Sequence, residues 1–149
     1  MNDPLELEQF LPYRVSVLAN RVSRAFARLY EARFDLKLPE WRVMAVLGRR
    51  PGITASDVTE MTAMDKVAIS RALSRLQAMG RVNVQEDEGD RRRMRLTLSE
   101  QGLEIYRQIV PLAKSIEADL ISELPAEDRA VLDRLLNRLM IAAERIDRE

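Results

Sequence analysis

The chain has no cysteine and no histidine among its 149 residues. That excludes a thiolate nucleophile, a disulfide, a thiol redox switch and an imidazole acid or base, and it removes the usual zinc and haem ligands. Carboxylate pairs can still perform acid–base work, but here the acids are scattered along charged helical faces. No Gly-rich phosphate loop or G-x-S-x-G occurs. The chain is therefore not expected to be an enzyme, and no metal or cofactor is expected. Long apolar runs are missing too, with nothing near the roughly 18 residues of a membrane span. The start, MNDPLELEQF, is acidic and lacks the basic-then-apolar order of a signal peptide. A cytoplasmic protein without a membrane partner is the expectation.

Excess charge of either sign is also absent, because 24 basic residues meet 24 acidic ones. The neutral total hides a separation. Residues 1–40 carry 6 basic and 6 acidic groups, residues 41–99 carry 11 and 7, and residues 100–149 carry 7 and 11. A middle at +4 and an end at −4 suggest that the centre meets a polyanion. The composition, 46% hydrophobic, suits one domain or two small interlocked halves with a sizeable core.

The ends read as long amphipathic helices. After Pro12, Val15, Leu18, Val22, Phe26 and Leu29 recur at steps of three and four, with Arg14, Arg21, Arg24 and Arg28 off the stripe. A second helix opens at Ser99, a plausible N-cap, and runs through Leu103, Tyr106, Ile109, Ala113, Ile116 and Leu120, with a kink expected at Pro111. From Ala126 a last helix sets Leu132, Leu135, Leu139 and Ile146 near a heptad repeat, widened by Leu136 and Ala143. This much apolar face suggests a dimer interface; packing within one chain is the alternative.

The middle changes character. A short helix over 39–49 carries Trp41, Met44 and Leu47 and stops at Pro51-Gly52. Thr54 and Asp57 approach a capping box for a helix to Met61 or Thr62. From Asp65, "DKVAISRALSRLQAMG" turns Ile69, Leu73 and Leu76 inward and ends at Gly80. Two short helices joined by a tight turn describe a helix-turn-helix. Lys66, Ser70, Arg71, Ser74 and Arg75 occupy or border the outer face of the second helix. Arginines can make bidentate contacts to guanine, serines can bond bases or phosphates, and Val67 and Ala68 let the helix approach the groove. A solvated surface with i,i+4 charges fits that helix equally well.

The segment after Gly80 breaks the tie. Val82 and Val84, then Met94, Leu96 and Leu98, alternate with polar residues, so two strands flank "QEDEGDRRRMRL" as a hairpin with Gly89 near its tip. A helix-turn-helix succeeded by a β-hairpin is a winged helix. The hairpin could instead be a self-neutralising surface loop or an acid-rich cation loop, although "EDEGD" lacks the ligand order of a calcium loop.

The stretch from Trp41 to Gly102, with "AISRALSRLQAMGRV" and then "DEGDRRRMRLTLSEQG", resembles the multiple antibiotic resistance regulator (MarR) family of bacterial transcription factors. The long terminal helices extend the likeness over nearly the whole chain. Asp90, Arg92, Leu96, Leu98, Ser99 and Gly102 fit the family's wing pattern.

The resemblance implies a mainly α fold with a small β-hairpin wing. Residues 39–99 would form a winged helix-turn-helix that binds DNA, and residues 1–38 and 100–149 a helical dimerisation region. It further implies a homodimer that lays two recognition helices in the major groove of a pseudo-palindromic operator, two wings in the minor groove, and acts most often as a repressor. Ser70, Arg71 and Arg75 fall on the family's recognition-helix positions, and Arg92 falls on the arginine that enters the minor groove. A narrow minor groove attracts arginine through its enhanced negative potential. Arg91 and Arg93 are assigned to phosphates. Asp90, two residues before Arg92 on an extended strand, is expected to brace it.

The family's peroxide sensors use a cysteine that this chain lacks. The remaining mode is a small anionic or aromatic effector held between the dimerisation helices and the winged helix. Phe10, Tyr13, Trp41 and Met44 are the candidate walls, with Arg14 or Arg21 for a carboxylate; Trp and Met at helical spacing are more often core. A winged helix that contacts protein and no DNA is the competing reading.

Overall fold

The computed structural model describes residues 3–149. Among them the order is α1 (Leu11–Phe34), α2 (Leu38–Arg49), α3 (Ala55–Thr62), α4 (Lys66–Ala78), β1 (Val82–Glu86), β2 (Met94–Leu98), α5 (Glu100–Leu120) and α6 (Ala126–Asp147). This is the expected mainly α chain with a helix-turn-helix and a hairpin wing.

Local chemistry sets the boundaries. Thr54 and Asp57 form a full capping box: the Asp57 N–H donates to Thr54 Oγ1 at 3.2 Å, and the Thr54 N–H donates to Asp57 Oδ2 at 2.9 Å. The Thr54 N–H, and next its hydroxyl, hold the Asp57 carboxyl below the usual carboxylate range. At the end of α4, Gly80 takes a φ of +73°, its N–H donates to the Gln77 carbonyl and the Arg81 N–H donates to the Leu76 carbonyl. That is a Schellman stop, and only glycine enters it without strain. Ser99 caps α5, its Oγ accepting from the Gly102 N–H at 3.0 Å.

Helix α2 is the hub, packing against α1, α3, α4 and β2. Val43, Met44 and Leu47 supply its buried side, meeting Val58, Ile69 and Leu76 in the core. In α4 the third inward position is Ala72; Leu73 is half-buried. Antiparallel β1 and β2 pair from Val82↔Leu98 to Glu86↔Met94, and Ile53 adds one rung on Leu96. The hairpin is dry only at its base, where Val82 and Leu96 are buried; Val84 and Met94 are exposed. Gly102 is required by packing, because a Cβ there would overlap the Arg81 carbonyl oxygen.

By compactness the chain divides inside α5, into a unit ending at Pro111 and a unit spanning Leu112–Glu149. Helix α5 stays α-helical through Pro111, which leaves the Arg107 carbonyl without its helical donor. In the first unit, Val15 and Leu18 at the start of the α1 stripe are exposed, while Val22, Phe26 and Leu29 are half-buried. In the second unit, α6 has no buried residue, and Leu132, Leu135, Leu136 and Leu139 all lie open.

Candidate nucleic-acid interface

Helix α4 presents Lys66, Val67, Ser70, Arg71 and Ser74 to solvent. Its first turn is already capped: Asp65 Oδ1 accepts from the Val67 N–H at 2.7 Å and the Ala68 N–H at 3.1 Å. With those donors occupied, an anion on this face would be met by side chains.

Arg75 stands apart from the other candidates. Its Nη2 donates to Asp35 Oδ1 at 2.9 Å and to the Asp35 carbonyl at 3.2 Å. Its Nε lies 2.8 Å from Glu40 Oε1, as an ion pair not aligned for a hydrogen bond. The Glu40 side chain is 4% exposed, and its other oxygen accepts from the Lys37 N–H at 2.8 Å, closing the start of α2. Asp35 reaches Arg75 from a left-handed turn (φ 52°) that ends α1. The sequence pattern puts Arg75 against DNA; its guanidinium instead ties α4 to the α1–α2 junction. Arg81, buried beside this cluster, has Nε and Nη1 without hydrogen-bond partners. Burial lowers its pKa, while the fields of Asp35 and Glu40 raise it.

In the wing, loop 87–93 carries the charge. The Arg93 N–H donates to the Asp90 carbonyl at 3.0 Å, a β-turn over residues 90–93, and the Arg92 N–H donates to Asp90 Oδ1 at 3.0 Å. Asp90 Oδ1 also lies 3.6 Å from Arg92 Nε. The contact between Asp90 and Arg92 thus comes from an Asx turn; the alternation of an extended strand, expected from the sequence, is not its cause. Arg91, Arg92 and Arg93 are exposed, Arg92 at 94% of its side chain. Two acids are engaged: Asp90 within the turn, and Asp87, which accepts from Arg95 Nη2 at 3.1 Å. That bond, and next the Gly89 N–H, hold the Asp87 carboxyl below the usual range.

The proposed ligand residues do not gather. Phe10, Tyr13, Arg14 and Arg21 are exposed. Met44 is fully buried in the core, and Trp41 packs at a tilt on Tyr30 and stacks on Tyr106, with ring centres 5.0 and 6.3 Å away. Both are packing residues. Tyr30 itself is fully buried, its hydroxyl has no partner, and burial pushes its pKa up to about 12. An open groove of about 780 Å³ is lined instead by Ser16, Asn20, Ser23 and Arg24 of α1 and by Leu38 and Arg42 of α2. The residues that sequence reading missed are Asp35, Glu40, Asp87 and Arg95. Only Glu40 left a local signal, an acid in the first turn of a helix.

The sequence profile of the MarR family matches residues 34–93. Transcriptional regulator HosA of Escherichia coli O157:H7 is 26% identical over 106 residues, which cover 71% of this chain and 78% of HosA. A MarR/EmrR family transcriptional regulator from Acinetobacter sp. ADP1 superposes with a TM-score of 0.88 at 23% identity, over 95% of this chain and 99% of that one. Streptococcus pneumoniae FabT, solved in complex with DNA, has a TM-score of 0.73 at 25% identity, over 91% of this chain and 95% of that one.

Proposed function

We propose that this chain, whose residues 34–93 match the MarR family profile, is a DNA-binding transcriptional regulator of that family and acts as a homodimeric repressor of a pseudo-palindromic operator. Residues 39–99 form the DNA-binding part in this reading, and residues 1–38 and 100–149 the dimerisation part. Recognition helix α4 enters the major groove with Lys66, Val67, Ser70, Arg71 and Ser74, and Arg92 enters the minor groove between Arg91 and Arg93 on phosphates. One observation carries the reading: three consecutive arginines lie open on a loop whose Asp87 is held by Arg95 and whose Asp90 is engaged by the loop's own turn. A surface that only neutralised itself would pair all three arginines with its acids; here only Arg92 meets one, Asp90 at 3.6 Å, and its side chain is still 94% exposed.

The exposed apolar residues of α6 support a second copy as partner. A small anionic effector would find Arg24 and Arg42 at the α1–α2 groove, a different place from the one read from the sequence. It would release DNA by binding the DNA-incompetent arrangement more tightly. A thermal-shift screen of aromatic acids, with Arg42→Ala as control, tests this; stabilisation that survives the substitution would remove the groove.

Selection of duplexes from a random library tests DNA recognition. Enrichment of an inverted repeat, with half-sites about one helical turn apart, is expected; a library that stays random would favour a winged helix for protein contacts. On the selected duplex, Arg92→Ala should fold normally and bind at least about tenfold more weakly, or about 1.4 kcal/mol. Unchanged affinity in a fluorescence titration would take Arg92 out of the interface.

A further inference from the structure

Arg95 lies on β2 at the root of the wing, opposite Gln85 and on the other face from the buried Leu96. Its guanidinium makes two bonds to separate parts of the chain. Nη1 donates to the Gly52 carbonyl at 2.8 Å, and Nη2 donates to Asp87 Oδ2 at 3.1 Å. Gly52 belongs to the α2–α3 connection, and its φ of +87° lets its N–H bond the Leu96 carbonyl at 2.8 Å while its own carbonyl meets Arg95. Asp87 opens the wing loop. Its N–H donates to the Arg93 carbonyl at 2.9 Å, and its Oδ1 lies 3.4 Å from the Gly89 N–H. Among the described residues, no other side-chain hydrogen bond joins loop 87–93 to anything beyond itself. Backbone bonds of Gly52 and Ile53 with Leu96 hold the hairpin's base, and the Arg95 link is the side-chain tie of the exposed loop beyond it.

We propose that Arg95, through Asp87 and the Gly52 carbonyl, is the positioning residue that holds the wing loop at the height from which Arg92 reaches the minor groove. The inference rests on the DNA-binding reading above. It also gives Asp87 a part that its charge alone would deny it. An acid beside a polyanion should weaken binding, so removing it should tighten binding. If Asp87 anchors the loop, removing it should loosen the wing and weaken binding instead.

The test uses the duplex selected by the wild-type chain and four variants: Asp87→Ala, Arg95→Met, Arg92→Ala, and the double variant of the last two. Expected losses are about threefold for Asp87→Ala and about fivefold for Arg95→Met. The double variant should bind within about twofold of Arg92→Ala alone, because a misplaced loop without Arg92 has nothing further to lose. Tighter binding by Asp87→Ala, wild-type affinity for Arg95→Met, or multiplied losses in the double variant would each overturn the proposal; the last would make Arg95 a DNA contact in its own right. Should Arg95→Met unfold, the sign of the Asp87→Ala effect decides alone. A wild-type chain that enriches no duplex overturns the DNA-binding reading before any variant is made.

Discussion

Leu139→Asp is expected to turn the protein from a dimer into a monomer at micromolar concentration and to weaken its binding to duplex DNA at least about 100-fold. Helix α6 is 22 residues long and buries none of them. A helix gains most of its stability by packing its apolar face, yet Leu132, Leu135 and Leu139 are 39%, 45% and 43% exposed. Full burial of each such side chain contributes about 1.5–3 kcal/mol, which a second copy would supply. In a two-fold interface every substitution occurs twice, so two carboxylates would enter one apolar seam. Without a partner, the same substitution changes a solvated surface and shifts stability by no more than about 0.5 kcal/mol. Light scattering separates the two cases, and an unchanged dimer mass would remove this face from assembly.

Glu40→Ala should lower stability by about 3 kcal/mol, or roughly 10 °C in Tm, because it strips a buried carboxylate from Arg75 and Arg81. Breaking a buried pair from one side costs about 3–5 kcal/mol, and Arg75, with a third of its side chain exposed, puts the effect at the low end. The helix start at Lys37 loses its acceptor as well. Asp35→Ala is the comparison. Asp35 pairs with the same arginine at 2.9 Å but is 80% exposed, so its removal should cost less than about 1 kcal/mol. Equal losses in calorimetry would mean that burial does not govern the cluster.

The fold is largely legible in the sequence because its signals are local. The spacing of Val15 to Leu29, the Thr54–Asp57 cap, Gly80 and the alternation around 82–98 each depend on a few neighbouring residues. The outward placing of Lys66, Ser70 and Arg71 follows from helical period alone. Arg75 shares that face by periodicity, but its role is set by Asp35, 40 positions away. No pattern in sequence reports such a pair. Arg95 and Gly52, 43 positions apart, are the same case. The ligand walls fail for another reason: Trp41 and Met44 have the same apolar character whether they line a pocket or fill a core, and packing decides for the core. Asp90 meets the neighbour expected of it through a different geometry, since period two does not hold inside a tight turn.

Bulk charge conceals the wing's chemistry, because Glu86 to Arg93 sum to −1, with four acids against three arginines. What matters is which charges protrude. A salt titration of binding to the selected duplex measures that most directly, since each phosphate contact made by Lys or Arg adds to the slope of log affinity against log salt. Two phosphate-bound wing arginines, Arg91 and Arg93, on each of two subunits should give a slope of about −3.6 or steeper. A flat response, or binding that strengthens with salt, would contradict a DNA interface built on these arginines.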